Sequence, residues 1–190
     1  FLDKQHSNVL LGTVIDFPLG EASLEAKLSE AKQAIIDGAD ELDFVVNYQA
    51  FQKGNIDIVR TQIKACTAFC LNNGKVAKWI IEIAALSDEE IASLTDLIRE
   101  EVEQSFPKEV HQVFVKSSTG FYQRVDGGPV GATLSGIKIM KENAGQLPIK
   151  AAGGLRNIED VKNMLDLGVS RIGTSSAKQI ILGEQTIKDY

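Results

Sequence analysis

The sequence predicts an α/β protein, a (β/α)8 TIM barrel with its first two βα units missing from this chain. Three observations carry that expectation. Short apolar runs alternate with helical patterns along all 190 residues, and such alternation favours parallel strands joined by right-handed helical crossovers. The runs begin about 32–36 residues apart until a shorter last unit, which leaves room for one helix between strands. Four successive runs also put a charge on one face and aliphatic residues on the other. Side chains alternate along a strand, so Asp43, Val45 and Asn47 share a face, as do Ile80 and Glu82, then Phe114 and Lys116, with Lys150 opposite Ile149. An open sheet covered by helices on both sides has no place for four such charges. A barrel interior near its catalytic rim does, because Asp43 and Glu82 there offset Lys116 and Lys150.

The expected strands span residues 9–16, 41–47, 76–84, 112–116, 148–152 and 169–174. Ser23 caps a helix running to about Ile36, with Ala26, Ala31, Ala34 and Ile35 toward the core. Residues 56–71 form the next helix, ended by Asn72-Asn73-Gly74. Ser87-Asp88-Glu89-Glu90 opens a third with an acidic first turn that suits the helix dipole. Helices over 133–143 and 157–167 each start at a good capping residue, Gly168 closes the latter, and a last helix begins near Ser175. No composition shift or linker marks a second domain, so 1–190 reads as one barrel domain. Six strands are visible where a closed barrel needs eight. The chain begins at Phe1 without a methionine, and the two absent strands are expected before it.

Hydrophobic residues make up 44% and charged residues 24%, which fits an ordinary globular chain. A net charge of −6 argues against nonspecific nucleic-acid binding. No apolar stretch approaches membrane-spanning length, and the first residues lack the layout of a signal peptide. Cys66 and Cys70 lie four apart in an expected helix and read as small buried residues on one face rather than a metal or redox pair. His6 and His111 are isolated, with no ligand pattern around them.

Lys116 and Lys150 stand out. Each ends an apolar run and is followed by small residues and glycine. A strongly hydrated ammonium is poor material for a buried strand end, whereas barrel enzymes place catalytic groups there. A second positive charge lowers an amine's pKa and makes it a nucleophile toward carbonyls. Lys116 is the candidate nucleophile and Lys150 the second amine, with a salt bridge to Asp43 or Glu82 as the alternative for either. Asp43 is the candidate proton shuttle, or an interior ion-pair partner. Asn47 and Glu82 are candidate orienting groups. Asp16 either lines the mouth or caps a helix. Three glycine turns, Ser118-Thr119-Gly120, Gly153-Gly154-Leu155-Arg156 and Gly173-Thr174-Ser175-Ser176, are phosphate-binding candidates through backbone N–H groups, or tight βα turns.

Together these segments resemble the deoxyribose-phosphate aldolases, which are class I (Schiff-base) aldolases. The resemblance runs through Phe17-Pro18-Leu19-Gly20, Gly38-Ala39-Asp40-Glu41-Leu42-Asp43-Phe44-Val45-Val46-Asn47, Ile80-Ile81-Glu82 and Arg171-Ile172-Gly173-Thr174-Ser175-Ser176. Its most specific parts are Val115-Lys116-Ser117-Ser118-Thr119-Gly120-Phe121 and Ile149-Lys150-Ala151-Ala152-Gly153-Gly154-Leu155-Arg156. It implies reversible cleavage of 2-deoxy-D-ribose 5-phosphate to D-glyceraldehyde 3-phosphate and acetaldehyde. It implies Lys116 as the Schiff-base lysine, Lys150 as the lysine that perturbs it, and Asp43 as the acid/base. Thr119, Gly120, Gly153, Gly154, Arg156, Gly173, Ser175 and Ser176 would hold substrate and phosphate. No metal or organic cofactor is implied, the partner is a small sugar phosphate, and the expected setting is cytoplasmic deoxynucleoside breakdown. A homodimer is compatible with the sequence. Another class I aldolase or a transaldolase, or a non-catalytic sugar-phosphate-binding barrel, is the competing reading. Three features depart from the family pattern. The loop after Phe121 is longer than usual, Ala152 stands where serine is common, and Tyr190 ends the chain as either a tail that reaches the mouth or a frayed terminus.

Overall fold

The computed structural model describes residues 8–125 and 127–183, so His6 and Tyr190 lie outside the described residues. Six strands form one sheet: β1 (Gly12–Ile15), β2 (Glu41–Val45), β3 (Val76–Ile80), β4 (Val113–Lys116), β5 (Ile149–Ala152) and β6 (Arg171–Gly173). All neighbouring pairs are parallel and follow chain order. The connecting helices are α1 (Leu24–Ile36), α2 (Tyr48–Gln52), α3 (Ile56–Asn72), α4 (Asp88–Ser105), α5 (Leu134–Asn143) and α6 (Ile158–Asp166), with α7 (Ala177–Leu182) after β6. Arg171 on β6 reaches Glu41 on β2, with Nη1 2.5 Å from each carboxylate oxygen. The sheet therefore curls into a half-barrel.

The expected two-faced strands are present. Leu42, Phe44, Ala77, Trp79, Val113, Val115, Ile149 and Ala151 are buried in the hydrophobic core with residues of the helices. Trp79 stacks on Phe44 at 5.1 Å and donates its indole N–H to Thr67 Oγ1 of α3. Burying one large aliphatic or aromatic side chain contributes about 1.5–3 kcal/mol. A buried ion pair gains little over an apolar replacement. The helix-facing layer thus supplies the stability, while the charged concave face is retained for another reason.

Four readings need correction. β3 stops at Ile80, so Glu82 is not a strand residue but a left-handed one, with φ 57°. β2 stops at Val45, and Asn47 instead caps the unanticipated α2 by accepting from Ala50 N. On α1 it is Lys27 that turns inward beside Ala31, while Ala26 is exposed. The cause is polar. Lys27 Nζ pairs with Asp16 Oδ2 at 2.6 Å and donates to Val45 O at 2.7 Å and Gly20 O at 3.2 Å. Asp16 also accepts from Ala22 N, so it braces the turn into α1 rather than capping the helix, a task Ser23 performs.

The expected caps Ser87, Thr133 and Asn157 all accept from a backbone N–H of their helix's first turn. Cys66 and Cys70 are free, buried thiols of α3, each pushed up to about 12 chiefly by burial, so they are unreactive. Exposed His111 lies in a 3-10 turn before β4. Among the described residues no helix is long and apolar enough to cross a membrane.

Candidate active site

Lys116 closes β4 and Lys150 sits opposite it in register on β5. Both point to the concave face because Val115 and Ile149 take the helix side. Their ammonium groups meet at one atom. Lys116 Nζ lies 2.8 Å and Lys150 Nζ 2.7 Å from Asp43 Oδ2. Asp43, on β2, is 4% exposed, and its other oxygen accepts from Lys78 Nζ at 2.7 Å. Burial pushes the Asp43 pKa up, but the charges of Lys116, Lys78 and Lys150 outweigh it and hold the carboxyl well below its usual range. Asp43 is therefore a fixed carboxylate that accepts hydrogen bonds on both oxygens. Burial pulls the Lys150 pKa down. Asp43 opposes that shift, while Lys116 and Lys78 add to it. Lys150 is accordingly an amine that gives up its proton more readily than an exposed lysine.

Glu82, two residues past the end of β3, is 1% exposed. Its left-handed backbone turns the carboxylate toward the β4 loop, where Oε2 accepts from Thr119 N at 3.1 Å and from Thr119 Oγ1. Oε1 has no hydrogen-bond partner among the described residues. Burial raises the Glu82 pKa, with the Thr119 contacts and Lys116 opposing. Neither lysine pairs with Glu82; the salt-bridge partner is Asp43.

The glycine turns pack against one another. Gly120 and Gly153 both have positive φ, and a Cβ on Gly153 would lie 3.4 Å from Gly120 Cα. Gly131, in the long loop, fits so closely that a Cβ there would lie 2.3 Å from the Gly153 carbonyl. Ala132 N donates to the carbonyls of Ala152 and Gly153. The long loop is thus sewn to the end of β5, and Phe121 meets Phe17 edge-on at 5.3 Å. Gly173 packs beside the lysine–aspartate cluster, since a Cβ would lie 3.2 Å from Lys150 Cε. Thr174 Oγ1 donates to Leu155 O, joining the β6 and β5 turns. Ser176 is buried, whereas Gly154, Arg156 and Ser175 are exposed.

No protein-family model matches the chain. Individual relatives match closely. Over 185 residues the chain is 41% identical to a deoxyribose-phosphate aldolase of Staphylococcus carnosus, which covers 97% of this chain and 76% of that protein. This chain belongs to the deoxyribose-phosphate aldolase family. Solved structures agree with the assignment. A Coccidioides immitis crystal structure provisionally assigned as a deoxyribose-phosphate aldolase superposes with a TM-score of 0.80 at 31% identity, over 94% of this chain and 65% of that one. The tetrameric deoxyribose phosphate aldolase of Aeropyrum pernix gives 0.76 at 28% identity, over 95% and 69%.

Within the aldolase chain, the structure brings together Lys116, Lys150 and Asp43, and beside them Glu82 with Thr119. It gives Asn47 a helix to cap. Sequence reasoning missed Lys78, Glu41 and Arg171. The signal was there: Lys78 has the parity of Ile80, and Glu41 that of Asp43, so each shares the charged face.

Proposed function

We propose that this chain cleaves 2-deoxy-D-ribose 5-phosphate reversibly to D-glyceraldehyde 3-phosphate and acetaldehyde through a Schiff base on Lys116. The observation that carries the reading is the pair of amines held on one oxygen of Asp43. A proton leaving Lys116 has an acceptor beside it in Lys150, whose own hold on a proton is weakened, and Asp43 Oδ2 bridges the two. Neutral Lys116 attacks the substrate aldehyde, and loss of water from the carbinolamine gives an iminium. That iminium accepts the electron pair of the bond between the second and third carbons as it breaks, while the third-carbon hydroxyl loses its proton. Glyceraldehyde 3-phosphate leaves. The two-carbon enamine is protonated and hydrolysed to acetaldehyde, which restores the amine. No step calls for a metal or organic cofactor.

Thr119, Gly120, Gly153, Gly154, Arg156, Gly173, Ser175 and Ser176 form the proposed substrate and phosphate cradle on the same rim, and Glu82 orients Thr119. The proposal extends to an eight-stranded barrel, since among the described residues β1 and β6 each have one neighbour in the sheet. It extends to one domain, a cytoplasmic setting, and self-association, for which the tetrameric Aeropyrum pernix relative is the support. Acetaldehyde release from deoxyribose phosphate tests the activity. The chain should release it, and Lys116→Ala should lose release by at least about 1000-fold, the scale of a missing covalent catalyst. Release from other sugar phosphates alone would favour a different class I aldolase or transaldolase. Binding without turnover would favour a silent sugar-phosphate barrel.

A further inference from the structure

The charged interior holds a lysine that the cleavage steps leave unused. Lys78 on β3 is in register with Asp43 on β2 and has no exposed surface. Its Nζ lies 2.7 Å from Asp43 Oδ1 and 2.9 Å from Glu41 Oε2. Glu41 is in turn paired with Arg171, whose guanidinium lies 5.2 Å from the Phe114 ring centroid. A chain of alternating charges therefore runs Arg171, Glu41, Lys78, Asp43 from β6 to the reacting amines. The terminal torsion of an aspartate is broad and two-fold, so one oxygen held by two mobile amines leaves the carboxylate free to turn. An anchor on the second oxygen removes that freedom.

We propose that Lys78 is a positioning residue of the aldol site, fixing Asp43 by Oδ1 so that Oδ2 stays between Lys116 and Lys150. The inference rests on the aldolase reading above. The charged and titratable groups facing the cluster are Glu41 and Asp43 from β2, Glu82 after β3, Lys116 from β4, Lys150 from β5 and Arg171 from β6. Cys70 of α3 feels the Lys78 charge from the helix side.

The two charge changes have opposite expected signs. Lys78→Met strands no carboxylate, because Glu41 keeps Arg171 and Asp43 keeps Lys116 and Lys150. It removes a positive neighbour of Lys150, so the limb of the kcat profile that reports deprotonation of that amine should move up by about one pH unit. Loosening Asp43 should lower kcat by on the order of 100-fold, the cost of a small misplacement, with a smaller effect on KM. Glu41→Gln removes a negative charge and leaves the Lys78 anchor, so the same limb should move down with kcat largely kept. A purely structural role for Lys78 lowers the melting temperature and the active fraction without moving either limb. Unmoved limbs in both variants, with an active parent protein, would overturn the inference and leave the aldolase reading standing. Should Lys78→Met not fold, Lys78→Arg decides: it keeps the charge but displaces the donor from Asp43 Oδ1, so kcat should fall with the limb unmoved, and full kcat in that variant would overturn the inference. A parent protein that cleaves no deoxyribose phosphate defeats the aldolase reading itself.

Discussion

Lys150 and Gly173 show how narrow the tolerances of this site are. Gly173 leaves only enough room for the Lys150 stem, with Ala152 Cβ 3.0 Å from where its own Cβ would stand. Gly173→Val should displace the Lys150 amine from Asp43 and lower kcat roughly 100-fold, while the melting temperature falls little. Steady-state kinetics beside a thermal melt checks both parts. Lys150→Leu removes the amine that competes for a proton, and the rate profile should shift to higher pH; an unchanged profile counts against electrostatic tuning. That Lys116, Lys150 and Asp43 gather on one face was legible because a charge inside an apolar strand conflicts with burial and asks for a reason. Lys78 was overlooked because only one charge per strand was read from the β3 run. The Glu82 contact with Thr119 could not be read at all. It depends on a non-glycine residue in the left-handed region, which strand parity does not anticipate.

At the scale of elements, most boundaries were visible in the capping residues. Ser23, Ser87, Thr133 and Asn157 each satisfy backbone donors that a helix start leaves free. The inward face of α1 was misread by one residue because apolar periodicity favours Ala26 over lysine, while the structure offers Lys27 three oxygens. That lysine ties α1 to the turn after β1 and to the end of β2. Lys27→Met should destabilise the protein by about 3 kcal/mol, the usual scale for breaking one side of a buried ion pair. Chemical denaturation measures it, and a loss near zero would mean the α1 contact is carried by packing alone. The short α2 escaped notice because the periodicity of five residues is too brief to register.

The whole molecule joins an apolar helix-facing layer to a concave face of alternating charge, and the pH dependence of its stability should report the second. The Asp43 pKa is lowered from the ordinary 3.8. On acidification the unfolded chain therefore takes up this proton first. The stabilisation by Asp43 is complete above 3.8 and is lost as pH falls through the lower folded value. Asp43→Asn should be less stable than the parent at neutral pH, and the gap should narrow in acid, as denaturant titrations at several pH values would show. The curled parallel sheet was predictable from the strict alternation of strand and helix, and its polarity from the charges of Asp43, Lys116 and Lys150 on the face opposite the aliphatic residues, although Glu82 lies past the end of its strand. The Arg171–Glu41 contact that spans the curl joins residues far apart in sequence, and no local pattern announces it. The most direct test of the proposed chemistry is borohydride reduction in the presence of acetaldehyde, followed by peptide mass analysis. A two-carbon adduct on Lys116 is the predicted result; an adduct on Lys150 instead, or none on any lysine, would contradict it.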